Sequence, residues 1–209
     1  MGLYVLALTD VALDPLTVGR RTLRTVRFGP VFAICEHRRS APVMTDETLR
    51  EQHALVIESA RRVNAILPVR FGAFIDKAAL GNLIRQSDAE IRLGLEEVRA
   101  RVQMTIRFIG ARARVSTTPV SSGREYLEAR RRAATPALPP PASRLLDTLR
   151  PLVVRERMES GAGKLLATVY HLVDAAKVRR YKQLVQRVAT ADAVVSGPWP
   201  PFAFTPQLL

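Results

Sequence analysis

Apolar and polar positions follow two kinds of pattern along the chain. Leu3-Tyr4-Val5-Leu6-Ala7-Leu8 is an unbroken apolar run of strand length, ended by Thr9-Asp10. Two further runs, Leu23–Phe28 and Val31–Glu36, flank Gly29-Pro30, and that turn signal predicts a β-hairpin. The period then changes. Thr45 is placed to cap a long helix whose first turn carries Asp46 and Glu47, where acids suit the helix dipole. Leu49, His53, Val56, Ala60 and Val63 recur at spacings of four and three, which predicts one core-facing stripe. Pro68 is read as the stop of this helix, and Val69–Ile75 as a short strand.

Asp76 caps a second predicted helix with Leu80, Ile84, Ile91, Leu95 and Val98 on its buried stripe, and Glu90, Glu96 and Glu97 on other faces. Val102, Thr105-Ile106 and Phe108-Ile109 suggest a strand. Ser121–Ala134 reads as an Arg-rich helix anchored by Tyr126 and Leu127, and the proline run 136–141 as a semi-rigid connector that cannot be helix. Ser143 caps a helix over Leu145, Leu146 and Leu149, cut near Pro151. Strands Leu152–Met158 and Leu165–Val173 join across Ser160–Gly163. A helix over 175–189, with Val178, Leu184, Val185 and Val188 apolar, precedes a last strand, Ala193–Val195.

Strands on both sides of two amphipathic helices make the first half an α+β sandwich, and the second half is again α+β. The expected domains are 1–120, a connector over 121–142, and a smaller one over 143–209.

Composition is that of a globular protein: 47% apolar and 24% charged in 209 residues. Net charge is +13, uneven along the chain: +4 over residues 1–110 and +9 over 111–209. Such a balance admits an anionic partner, so a basic nucleic-acid-binding module is the alternative reading. Against it, 28 of the 32 cations are Arg, a composition-wide habit, and no aromatic platform accompanies Arg130-Arg131-Arg132 or Arg179-Arg180. Cys35 is the single cysteine, so no disulfide can form within the chain, and its apolar neighbours make it a small buried hydrophobe. No signal peptide or membrane-length apolar run is visible, which implies a cytoplasmic protein without membrane contact.

Catalytic chemistry is hard to find. His37, His53 and His171 have no metal-ligand spacing, and His53 and His171 read as core or edge histidines. Gly161-Ala162-Gly163-Lys164 imitates a phosphate loop, yet Met158 and Leu165 stand where that motif needs Gly and Ser/Thr. No cofactor, no metal and no enzymatic activity are expected; a hydrolase with fold-assembled carboxylates is a third, weaker reading. Two segments stand apart from ordinary core. In Leu67-Pro68-Val69-Arg70-Phe71-Gly72 one cation sits amid apolar residues, and its bland role is to pair a carboxylate or cap carbonyls within the fold. In Gly197-Pro198-Trp199-Pro200-Pro201-Phe202 prolines stiffen a segment bearing the single Trp. Trp199 is expected to be mostly buried against its own fold, with the tail helping to hold the two halves together.

These segments carry a resemblance. Together with the opening strand Leu3–Leu8, the helix around Glu51–Glu58, and Ser122-Gly123-Arg124-Glu125-Tyr126-Leu127, they occur in the order seen in the gas vesicle protein F/L family, which the chain resembles over nearly its whole length. The resemblance implies two domains, the first a modified ferredoxin-like fold, and an accessory role in gas vesicle assembly and hence buoyancy. It implies contact with the major hydrophobic shell protein and with other accessory proteins, with no catalytic residues. Pro68, Arg70, Phe71, Gly72, Arg124, Tyr126, Gly197, Pro198, Trp199, Pro200, Pro201 and Phe202 are then the candidate structural or partner-binding residues. Gln103 departs from the Glu common in the family, and Phe202 from its Tyr.

Overall fold

The opening apolar run forms strand β1 (Gly2–Thr9), buried at all eight positions. In the computed structural model, which describes residues 1–18, 21–110, 138, 140–188 and 191–206, β1 is the inner strand of the first of two sheets. Strands β2 (Leu16–Val18), β3 (Arg21–Phe28), β4 (Val31–Arg38), β5 (Ile66–Pro68) and β6 (Phe74–Ile75) complete it, in the order β2-β3-β4-β1-β5 with β6 also on β1. β1 pairs antiparallel with β4, β5 and β6, as β3 does with β2 and β4, and the β3–β4 hairpin turns at Gly29-Pro30 as expected, with Phe28 opposite Val31. Tyr4 and Leu6 pack with Leu23, Ile34, Leu55, Val56 and Ile66 in one core cluster.

Helix α1 (Asp46–Ala60) begins at the expected cap. Thr48 N–H donates to Thr45 Oγ1 at 3.2 Å, and Thr45 N–H to Thr48 Oγ1 at 3.0 Å. Its buried face, however, is Gln52, Leu55, Val56 and Ser59, rotated from the expected Leu49–His53 stripe. Two polar residues sit inward because their groups are satisfied there. Ser59 Oγ donates to Leu55 O at 2.8 Å, and Gln52 bonds Tyr4 and the Val69 carbonyl. Hydropathy alone cannot see such satisfaction.

Pro68 ends a strand, not a helix, and the expected strand Val69–Ile75 is interrupted. Against β1, Ala7 pairs Pro68 while Tyr4 pairs Phe74, so the partner segment holds three residues more than β1 does. Val69 N–H still reaches Leu6 O at 2.9 Å and Val5 N–H reaches Ala73 O at 2.8 Å. The surplus is therefore Arg70-Phe71-Gly72, pushed out of the ladder as a bulge, with Gly72 at φ +90° closing it.

The second expected helix is two. α2 (Lys77–Gln86), capped by Asp76 Oδ1 accepting from Ala79 N–H at 2.9 Å, breaks at Ser87 from α3 (Asp88–Val98). All five residues of its expected stripe are nonetheless buried, because the break preserves the phase.

The chain divides into two compact units, Met1–Gln103 with the tail from Trp199, and Met104–Pro198. The expected partition cut at 120/121 and gave the tail to the second domain. The cut falls instead within strand β7 (Arg101–Ile109), which composition has no means of marking. The second unit has its own sheet, in the order β10-β7-β9-β8, from β7, β8 (Val153–Ser160), β9 (Leu165–Asp174) and β10 (Ala193–Trp199). β8 and β9 form the expected hairpin, and a Cβ on Gly161 would meet Leu165 O at 2.2 Å, so the turn requires glycine. Helices α4 (Pro140–Leu149) and α5 (Val178–Val188) supply Leu145, Leu149, Tyr181 and Val185 to a core with Met104, Ile106, Phe108, Val169 and Val173.

Pro140 and Pro141 are in the first turn of α4, where a missing N–H loses nothing; the expectation that they could not be helical was too strict. β10 runs past Val195 to Trp199. The expected helix Ser121–Ala134, with Arg124 and Tyr126, and Pro136 and Pro139 lie outside the described residues.

Gly72→Ala tests the bulge. No atom lies within 4 Å of its would-be Cβ, so the cost is backbone strain alone, about 1–3 kcal/mol. Urea denaturation should show a lower midpoint with an unchanged slope.

Candidate functional site

β10 leads through Gly197 (φ +116°) and a cis Gly197-Pro198 bond to Trp199, after which Pro200 and Pro201 are buried. A short 3-10 turn, Phe202–Phe204, follows beside β5. The tail is held in the first unit by a buried ring and one hydrogen bond, and a bond of its own closes its turn. Phe204 is buried, Ala203 N–H donates to Gln103 Oε1 at 2.7 Å, and Thr205 Oγ1 donates to Pro201 O at 3.1 Å. Gln103, the departure noted in sequence, therefore supplies the acceptor for the tail, which an amide oxygen does as well as a carboxylate.

So fixed, the tail brings two rings onto α1. His53 lies 5.2 Å from the Phe202 ring, stacked at 27°, and 5.5 Å from the Trp199 ring at 51°. His53 is exposed, Trp199 is half-buried, and Phe202 is 36% exposed. Leu49, one turn earlier on the same helix face, is 40% exposed, and Val43 and Met44 before the cap are more so. The residues that failed to join the core stripe thus build an aromatic and aliphatic surface. Sequence reasoning missed the part of His53, since its partners come from about 150 residues away and have no local signal.

The bulge gives a second feature of the same unit. Pro68 is buried at the end of β5, and Phe71 packs edge-on to Tyr4 at 6.3 Å. Tyr4 O–H donates to Gln52 Oε1, and Gln52 Nε2–H donates to Val69 O at 3.1 Å. Burial pushes the Tyr4 hydroxyl pKa up, opposed by a hydrogen bond from the Gly72 backbone and by Arg38 and Arg21, so it stays a proton donor. The Arg38 guanidinium lies over the Tyr4 ring at 5.5 Å. Arg70 itself is exposed and has no ion-pair partner among the described residues, contrary to the expected internal pairing.

The second unit holds the one buried titratable relay found among the described residues. His171, fully buried on β9, has Nδ1 2.8 Å from Tyr181 Oη and Nε2 2.9 Å from Glu156 Oε2. Burial lowers the His171 pKa, with Glu156 opposing, and burial pushes the Tyr181 hydroxyl well above its usual range. A neutral imidazole donating to the carboxylate and accepting from the phenol satisfies all three groups, and the phenol is no nucleophile. Burial likewise raises the Cys35 thiol to about 11. Among the described residues no group of three His, Cys, Asp or Glu could hold a metal ion, and no helix is long and apolar enough to cross a membrane.

Known proteins place these features in context. The family profile described as "Gas vesicle synthesis protein GvpL/GvpF" matches residues 2–206. The fold is similar to the crystal structure of the gas vesicle protein GvpF from Anabaena sp. PCC7120, with TM-score 0.71 and 14% identity over 98% of each chain. It is similar also to that of GvpF from Microcystis aeruginosa, with TM-score 0.76 and 11% identity over 97% of this chain and 98% of the other. No curated protein matches the sequence.

Two measurements test the geometry. Truncating a fully buried aromatic costs about 3–5 kcal/mol, so the half-buried Trp199→Ala should cost roughly half of that, seen as a lower melting temperature, while Phe202→Tyr is tolerated. For His171 the folded chain refuses a proton that the unfolded chain binds near pH 6.5. Stability is therefore present above that pH and falls as pH drops below it. Denaturation of the wild type between about pH 7 and 5 should show this slope, and His171→Gln should flatten it.

Proposed function

Because the chain belongs to the GvpL/GvpF family of gas vesicle synthesis proteins, we propose that it acts in gas vesicle formation as a non-catalytic accessory protein. It binds the major hydrophobic shell protein, and other accessory proteins, while the vesicle is built. The observation that carries this reading is the surface of exposed His53 and Phe202 around the half-buried Trp199, continued along α1 by Leu49. A shell protein that lines a gas space must present apolar surface before it assembles, and such surface aggregates unless a partner covers it. Stiff aromatics on a proline-braced tail offer large contact area with little ordering entropy, as interface anchors do.

Arg70 supports the same reading. It stands on a bulge held at both ends by ladder hydrogen bonds, so its guanidinium is presented by a rigid base and is free to pair with a partner's carboxylate or carbonyls.

Capture of the shell protein by the full chain measures the proposal. Phe202→Ala, which removes a partly exposed ring, is expected to weaken capture roughly tenfold with a small change in melting temperature, and Arg70→Gln to weaken it less. Deleting the gene should abolish or deform the vesicles. Normal vesicles in a clean deletion strain with no related gene, or unchanged capture by the Phe202→Ala and Trp199→Ala variants, would overturn it.

A further inference from the structure

The helices of this chain treat their surface cations in two ways. In the first unit, Arg50 meets Asp46 on α1 and Arg92 meets Asp88 on α3, Arg61 and Arg62 just past α1 meet Glu58, and Arg85 on α2 bonds the Asn82 amide. This is the arrangement that stabilises a solvated helix. α5, Val-Arg-Arg-Tyr-Lys-Gln-Leu-Val-Gln-Arg-Val, contains no acid. Tyr181 and Val185 are buried, with Val178, Leu184 and Val188 packed on the same core. At 100° per residue, every outward position is then Arg179, Arg180, Lys182, Gln183, Gln186 or Arg187, and all six are exposed.

None of these four cations has a partner among the described residues. The arrangement is costly by itself. Arg179 and Lys182 are like charges at i,i+3, and Arg179 and Arg180 occupy the first turn, where the helix dipole disfavours positive charge. The unit around α5 does not offset it, having 17 Lys and Arg against 7 Asp and Glu over residues 104–198. Residues 111–137 are themselves net basic, with six Arg and two Glu.

We propose that the outward face of α5 docks an acidic protein segment, a helix or extended strip with carboxylates spaced along one side. The face is about 16 Å long and holds three guanidinium forks, which grip carboxylates two bonds at a time, with two glutamine amides between them. Its shape favours protein over nucleic acid. α5 lies beside α4 on the sheet instead of projecting as a groove-reading helix, and its outward positions carry no aromatic on which a base could stack. The surface differs in chemistry and in unit from the aromatic one, and the proposal does not depend on shell-protein binding there.

The test uses the full chain and a fluorescent helical peptide of about 20 residues with glutamate along one face, followed by anisotropy at about 50 and 200 mM salt. The variant Arg179→Gln/Arg180→Gln/Lys182→Gln/Arg187→Gln keeps helix propensity and removes like-charge repulsion, so its melting temperature should be unchanged or higher. Its affinity for the peptide should fall roughly tenfold or more, with most of the salt dependence gone. The charge-matched control Arg24→Gln/Arg39→Gln/Arg50→Gln/Arg62→Gln should retain affinity within about threefold. Equal peptide binding by wild type and α5 variant, or equal losses in variant and control, overturns the proposal. So does a duplex DNA of similar charge that binds more tightly than the peptide and is released by the same α5 changes. Phe202→Ala should leave peptide binding intact, which separates this face from the shell-protein reading.

Discussion

Strand β1 has no solvent on either face, so each of its backbone N–H and C=O groups must find a partner in the protein. On one side β4 supplies those partners along nearly the whole strand, with a register shift between Val5 and Ala7. On the other side the chain returns with three residues too many. The bonds from Val69 to Leu6 and from Val5 to Ala73 keep the ladder closed on both flanks of the surplus. Only outward is there room for Arg70-Phe71-Gly72. The exposure of Arg70 is thus a consequence of satisfying β1, and Tyr4, a β1 residue, braces the bulge through Gln52 and Phe71. Packing, register and the presentation of a charged group trace back to one buried strand.

What could be read from sequence was what is locally encoded. The apolar run of β1, the Gly29-Pro30 hairpin, the caps Thr45 and Asp76, and the stripe from Leu80 to Val98 are each decided by residues within a turn or two. The errors share a different cause. Gln52 and Ser59 are inward because of bonds to Tyr4, Val69 and Leu55, and a polarity scale scores them as surface. The α2–α3 break at Ser87 leaves the helical phase intact and so leaves no trace in the pattern. Val69–Ile75 is apolar enough for a strand, but its length mismatch with β1 exists only once the two are paired. For the candidate site, Trp199, Phe202 and Arg70 drew notice as unusual residues, whereas His53 became part of it only through contacts far away in sequence.

The two units also divide the physical chemistry of recognition. The first shows rings and aliphatic groups whose burial in the proposed contact would be driven by the hydrophobic effect and be nearly indifferent to salt. The second concentrates positive charge, whose contribution to the proposed docking would lie in steering and selectivity and fade as ionic strength rises. Under the two proposals, holding a partner and choosing it would rest on separable surfaces.

The chain leaves its first unit within β7, between Gln103 and Met104, and returns to it between Pro198 and Trp199. A ribosome making this protein therefore finishes the second unit before it has delivered the last piece of the first. Until Trp199 and the residues after it emerge, Gln103 has no Ala203 amide to accept, His53 has neither ring beside it, and β5 lacks the turn that packs along it. The amino-terminal half, though synthesised first, is thus the last to be closed. Ending the chain near residue 198 would spare the second unit and damage the first, whose other residues all precede Met104.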